Sequence, residues 1–234
     1  MVTNKVITKL NSLLIKRFGI PKRKKSNPLN LLIATILSQN TNDKNSYQAY
    51  KNLKANYSDW KLLISEDIKK IEQTIKIAGL GKQKSRTIKS LLSELNRKYG
   101  KVSLDFLKSY SNEKIIDELT SIKGIGVKTV SCVLLFSLNR NVCPVDTHVH
   151  RTLNRIGIVR TNSPVKTFYL INENLPKGIA HSFHTNMIRL GREYCKSRNP
   201  ICNKCPILKM CEFENKNNIA VKIKENDFML LDNI

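Results

Sequence analysis

Cys195, Cys202, Cys205 and Cys211 are separated by six, two and five residues, so four thiols fall within 17 residues. Few features restrict a chain more. The segment must wrap tightly enough to bring four soft donors together, and such a set suits a metal ion or an iron–sulfur cluster. The chain has 234 residues and six cysteines. That is far larger than the small secreted scaffolds that need disulfide staples, and no secretory leader is recognisable. Zinc patterns use two short pairs joined by a longer arm, whereas these gaps form one compact wrap. The spacing favours iron–sulfur, with zinc and then no metal as the alternatives.

Charge narrows the partner. There are 41 basic and 18 acidic residues, for a net charge of +23. Such an excess points to a polyanion, first nucleic acid and second an anionic membrane surface. Apolar residues make up 41%, enough for a core, and no apolar run approaches a membrane span. Aromatics are only 6%, which argues against a stacking platform for single strands. Residues 1–42 lack Asp and Glu and could pass for a transit peptide. However, Val2, Val6, Leu10, Leu13 and Leu14 recur at helical spacing, which predicts the domain's own first helix. Lys22-Arg23-Lys24-Lys25 then reads as a solvated loop.

The periodicity predicts an all-α chain. Helices are expected near 3–18, 28–38, 43–56, 66–77, 83–99, 112–121, 127–138, 147–156, 164–173 and 178–194. The apolar segment 131–145 is expected at the buried centre, with Cys132 and Cys143 as small hydrophobes. The Asn- and Lys-rich tail is expected to be mobile or loosely docked.

Residues 112–137 read as helix, tight turn, helix, with Lys123-Gly124-Ile125-Gly126 at the turn. Two glycines let a backbone come close to another chain, and the following amides can face a phosphate oxygen. Lys128 lies in the first turn of the second helix, where the dipole disfavours a cation and so favours the nucleophilic free amine. On local sequence alone the better reading is one more phosphate-contacting lysine. Asp146 has the position of an N-cap. A carboxylate held there can also stabilise positive charge developing on a sugar. His148, His150, His181 and His184 show no metal-ligand pattern.

Three motifs, in order before the cysteines, carry a resemblance. They are Gly124-Ile125-Gly126-Val127-Lys128-Thr129, Val145-Asp146-Thr147-His148-Val149-His150-Arg151 and Leu190-Gly191-Arg192. With the cysteine gaps, they resemble endonuclease III, a helix-hairpin-helix DNA glycosylase family, from about residue 28 to about residue 213. The resemblance implies a two-domain helix-hairpin-helix glycosylase fold with a C-terminal iron–sulfur loop and a DNA groove between the domains. Residues 30–140 would form the hairpin domain, and 1–29 plus 141–234 the iron–sulfur domain. It implies Lys128 as nucleophile, Asp146 as catalytic carboxylate, and a [4Fe–4S] cluster on Cys195, Cys202, Cys205 and Cys211.

The implied DNA contacts are Gln39, Asn40, Thr41, Lys123, Gly124, Ile125, Gly126, Val127, Thr129, His148 and Arg151. In the loop Leu37–Asp43 the family's gap-filling Gln aligns with Asn40, with Gln39 beside it. Val127 stands where the family often has Arg. The implied partner is double-stranded DNA with damaged bases or abasic sites, bound by a monomer away from membranes. The implied setting is cytoplasmic or nucleoid in a prokaryote, and nuclear or organellar in a eukaryote. The implied activity is bifunctional: excision of oxidised or ring-saturated pyrimidines, then strand cleavage 3′ to the abasic site. The rivals are a related glycosylase of other base specificity, a metal-stabilised module that only binds DNA, and an RNA-binding protein. Only an enzyme needs both Lys128 and Asp146.

Overall fold

The computed structural model describes residues 2–217, 223–226 and 228–234. Among them there is no strand, and no helix is long and apolar enough to cross a membrane. The chain divides into two compact units, Met1–Lys22 with Arg140–Asp227, and Arg23–Asn139 with Phe228–Ile234.

The first unit holds α1 (Asn4–Phe18), α9 (Thr147–Ile156), α10 (Pro164–Glu173) and α11 (Ala180–Glu193), followed by the cysteine loop. Ile7, Leu10, Asn11 and Leu14 form one buried stripe of α1, which packs on α11. Thr3 starts α1 by accepting the Val6 amide, so the acid-free beginning of the chain is an ordinary capped helix.

The second unit holds α2 (Pro28–Leu37), α3 (Asp43–Asn56), α4 (Leu62–Ser65), α5 (Ile68–Thr74), α6 (Gly81–Tyr99), α7 (Asn112–Thr120) and α8 (Val127–Cys132). All of α2 but Asn30 is buried, against α3, α6 and α8. An apolar helix with no polar face can only be a core helix. Asn27 caps it through the Leu29 and Asn30 amides, and Pro28 sits at its first turn.

Four expectations change. The segment 66–77 is not one helix. Asp67 caps α5 through the Lys69 amide, and a tight turn at Lys76–Ala78 follows, closed by Gly79. The segment 131–145 is not a single buried centre. Cys132–Leu135 is buried in one unit and Val142–Val145 in the other, with Asn139 between them in a left-handed conformation (φ 56°). After α8 the chain widens into a π turn over Val133–Ser137, where the Leu138 amide reaches back to Val133 O. Cys132 and Cys143 are both fully buried and in no disulfide, as expected.

The tail is the fourth change at Phe228–Ile234, while 218–222 and 227 lie outside the described residues. Phe228–Ile234 packs within the hairpin unit rather than with the cysteine loop, and so does the stretch 23–29. Leu230 is 2% exposed, and its amide donates to Asp43 Oδ2. Phe228 meets the Tyr47 ring edge-on, and Ser26 Oγ donates to Ile234 O. Phe228, Met229 and Leu230 bury apolar area that an Asn- and Lys-rich composition conceals. The expected partition of 30–140 against the remainder therefore differs at both of these stretches.

Candidate functional site

In the hairpin unit, Ser111 caps α7 through the Lys114 amide, and Ile115 and Leu119 face the core. Ile122 and Ile125 are buried on either side of the turn, and the Ile125 amide donates to Ile122 O. Apolar anchoring at both ends pushes Lys123, Gly124 and Gly126 outward, and all three are exposed. Gly124 has φ +93°, and a Cβ there would overlap the Thr87 hydroxyl. Gly126 has φ −107° and open space around it. The two glycines therefore do different work. Gly124→Ala is expected to cost about 2–4 kcal/mol, from a left-handed backbone and a steric clash. Gly126→Ala is expected to cost under about 1 kcal/mol. Chemical denaturation of both variants checks the contrast.

No side chain caps α8. Lys128 is its second residue and is half-buried, beside Thr129 at 3% exposure. Gln39 does not stand free beside this hairpin. Its Nε2 donates to Gly124 O at 3.1 Å and lies 3.4 Å from Thr129 Oγ1. Asn40, next along, is exposed with φ 53°. Thr41 is half-buried, and Asn42 caps α3. Of the two amides in this loop, Gln39 is tied to the turn and Asn40 projects.

The same unit has a cavity of about 750 Å³ lined by Leu80, Gly81, Lys82, Gln83, Arg86, Thr87, Lys123 and Gly124, with Glu72 as its acidic member. Leu80 is 49% exposed with φ 49°. None of this group except the hairpin residues is evident from the sequence, because Gly79-Leu80-Gly81 reads as a simple breaker. Lys84, on the same helix as Lys82 and Arg86, is 1% exposed and donates to Leu37 O at 2.7 Å and Ala78 O at 2.8 Å. Burial pulls its pKa down to about 8. A signal for Lys84 does exist: it is four residues before Ile88, on the stripe continued by Leu91 and Leu95.

In the other unit, Asp146 is the N-cap of α9, and its Oδ1 accepts the Val149 amide at 2.8 Å. The approach to it is held firmly. Asn172 pairs with both main-chain groups of Cys143, and His184 Nδ1 sits 2.9 Å from Pro144 O. Asp146 itself stays half-exposed at the helix start. His148 packs where α9 meets α11. A Cβ on Gly191 would lie 2.8 Å from His148 Cβ, so the helices touch because that residue is glycine. Burial lowers the pKa of His148, and likewise that of His150, whose ring meets Thr167 Oγ1.

Arg151, an expected DNA contact, is engaged within its own unit. Its Nε and Nη2 both donate to Cys195 O, and Nη2 also to Gly191 O. One turn on, Arg155 donates to Lys196 O and Ser197 O and lies over the Phe213 ring. These two arginines tie the start of the cysteine loop to the helix that Asp146 begins. Only the folded loop could reveal this, since the partners are backbone carbonyls.

Cys195, Cys202, Cys205 and Cys211 line one cavity together with apolar Ile156, Pro200, Ile201 and Ile207. Burial, then the neighbouring thiols, pushes Cys205 up to about 12, and burial also raises Cys211. Four thiol sulfurs lining one apolar wrap are a soft donor set, which fits a metal group. Among the described residues, no group of three or more His, Cys, Asp or Glu is arranged to hold a single metal ion.

Comparison with known proteins identifies the family. The model of the HhH-GPD superfamily of base excision DNA repair proteins matches residues 33–177. Endonuclease III of Thermotoga maritima is 34% identical over 89% of this chain and 93% of its own length. An Arabidopsis thaliana protein named as a DNA glycosylase is 35% identical over 74% of this chain, which spans 57% of that longer relative. Among solved structures, a trapped endonuclease III–DNA covalent intermediate superposes with a TM-score of 0.77 at 29% identity, covering 91% of this chain and 97% of that one. The chain belongs to the HhH-GPD superfamily of base excision DNA repair proteins, and within it to the endonuclease III family.

Proposed function

We propose that this chain is a bifunctional DNA glycosylase and abasic-site lyase of base excision repair, acting on duplex DNA that carries oxidised or ring-saturated pyrimidines. The observation that carries the reading is Lys128, half-buried in the first turn behind an outward glycine hairpin, in a chain that also presents a capping carboxylate at Asp146. A module that only binds DNA needs neither group. The exposed Lys123, Gly124 and Gly126 backbone would approach phosphates, and Lys82 and Arg86 would add charge beside them.

The damaged nucleotide is turned out of the stack, at a cost that weak pairing lowers. Lys128 Nζ attacks C1′ of the deoxyribose, and the C1′–N bond breaks as the base leaves with a proton. Asp146 stabilises the positive charge on the sugar and assists the proton transfers. Ring opening gives a Schiff base between Lys128 and C1′. Loss of a C2′ proton then expels the 3′ phosphate, which is β-elimination. Water releases the sugar remnant from the lysine.

Cys195, Cys202, Cys205 and Cys211 would hold a [4Fe–4S] cluster, which when bound supplies a rigid structural link closing the loop. Arg151 and Arg155 would seat that loop on α9. Borohydride trapping on an abasic duplex tests the activity: a wild-type protein that forms no adduct refutes it. Metal analysis of the same preparation is expected to find about four iron per chain and a thiolate-to-iron absorption band. One zinc and no colour would refute the cluster.

A further inference from the structure

Lys84 is the buried cation that this chemistry leaves unused. Its ammonium meets two main-chain carbonyls, each at the end of a helical segment. Leu37 O closes α2, at 2.7 Å. Ala78 O closes the turn Lys76–Ala78, at 2.8 Å. Terminal carbonyls lack donors within their own helix and carry partial negative charge, so one ammonium satisfies both.

The two loops that leave these carbonyls share a property. Asn40 is exposed at φ 53°, three residues after Leu37, and Leu80 is exposed at φ 49°, two residues after Ala78. A left-handed backbone at a non-glycine residue is uncommon, and at a residue such as leucine it persists only where the surroundings hold it. One tip is a polar amide and the other a bare leucine at the rim of a basic cavity. Apolar side chains in such settings wedge between base steps. Three residues after Lys84, Thr87 packs under Gly124, and Gln39 bonds the same Gly124. A single face of α6 thus mounts the hairpin and both tips.

We propose that Lys84 is a positioning residue: by holding the Leu37 and Ala78 carbonyls on one ammonium, it sets the spacing of Asn40 and Leu80, the two tips that enter the duplex when a nucleotide is turned out. This rests on the reading above that the hairpin face meets DNA. The ammonium does not touch DNA; it acts through the two carbonyls.

The test uses the full chain and a duplex with a tetrahydrofuran abasic analogue opposite 2-aminopurine, whose fluorescence rises when the base unstacks. This readout needs no catalysis, so it stands apart from the trapping experiment. Wild type is expected to raise the fluorescence several-fold at saturation. Lys84→Met is expected to bind within about 3-fold and to lose most of the rise. Lys84→Gln, which keeps two shorter-reaching N–H donors, is expected to fall between them. Single-turnover rates are expected to split as well. Release of dihydrouracil from duplex should drop about 10-fold or more in Lys84→Met, while cleavage at a preformed abasic site stays within about 3-fold. The proposal is overturned by no rise in wild type, by an equal rise in wild type and Lys84→Met, by parallel loss on both substrates, or by failure of both variants to fold.

Discussion

A Lys128→Ala protein is expected to bind abasic duplex DNA and to leave no covalent adduct when borohydride is added. Strand cleavage should fall by at least about 10³-fold, the scale seen when a nucleophile is removed. The loss cannot be assigned to unfolding. Lys128 is the second residue of α8, where the dipole disfavours a cation and alanine is the better helix former. Thermal stability should therefore stay level or rise slightly. Affinity should change little, because at most one positive charge among 41 basic residues is lost. The slope of log K against log salt should shrink by no more than about 0.9. Full trapping by the variant would remove Lys128 from the chemistry and return it to the role of an ordinary surface cation.

The second large effect separates two duties of one carboxylate. Asp146 Oδ1 accepts the Val149 amide, and an asparagine keeps an oxygen at that place. Asp146→Asn should thus hold the α9 cap and change stability by under about 1 kcal/mol. It removes the negative charge, however, and base release should slow by about 10²–10³-fold. Asp146→Ala should show the same slow chemistry with a further stability loss of about 1 kcal/mol, because the cap is gone. Calorimetry with single-turnover base release reads both. An Asp146→Asn protein of wild-type rate would make the residue a cap and nothing more.

Helix starts are legible wherever a short polar side chain precedes an apolar period. Thr3, Asn27, Asn42, Ser111, Asp146 and Ser163 all accept an amide two or three residues on, and local chemistry decides each of them. Lys123, Gly124 and Gly126 are legible for the same reason, since a turn needs particular backbone angles. What the sequence hides is tertiary. Arg151 resembles any basic residue until the Cys195 carbonyl folds back onto it. Among Lys82, Lys84 and Arg86, only Lys84 is buried, and only the carbonyls of two distant segments make that tolerable. The tail was hidden because Phe228, Met229 and Leu230 have partners near Asp43 and Tyr47, far outside any local window.

That tail contact bears on how the protein is made. Leu230 and Asp43 are 187 residues apart. At usual translation speeds, roughly 10–40 s pass between their syntheses. Over that time α2 and α3 lack the apolar residues that finish their unit, while the whole of Arg140–Asp227 is being added. The two units are also interleaved along the chain, each made of two stretches, so no single cut yields either one intact. A ribosome stalled between Asn139 and Phe228 would hold a hairpin unit that lacks its last apolar stretch, the kind of open surface that chaperones bind.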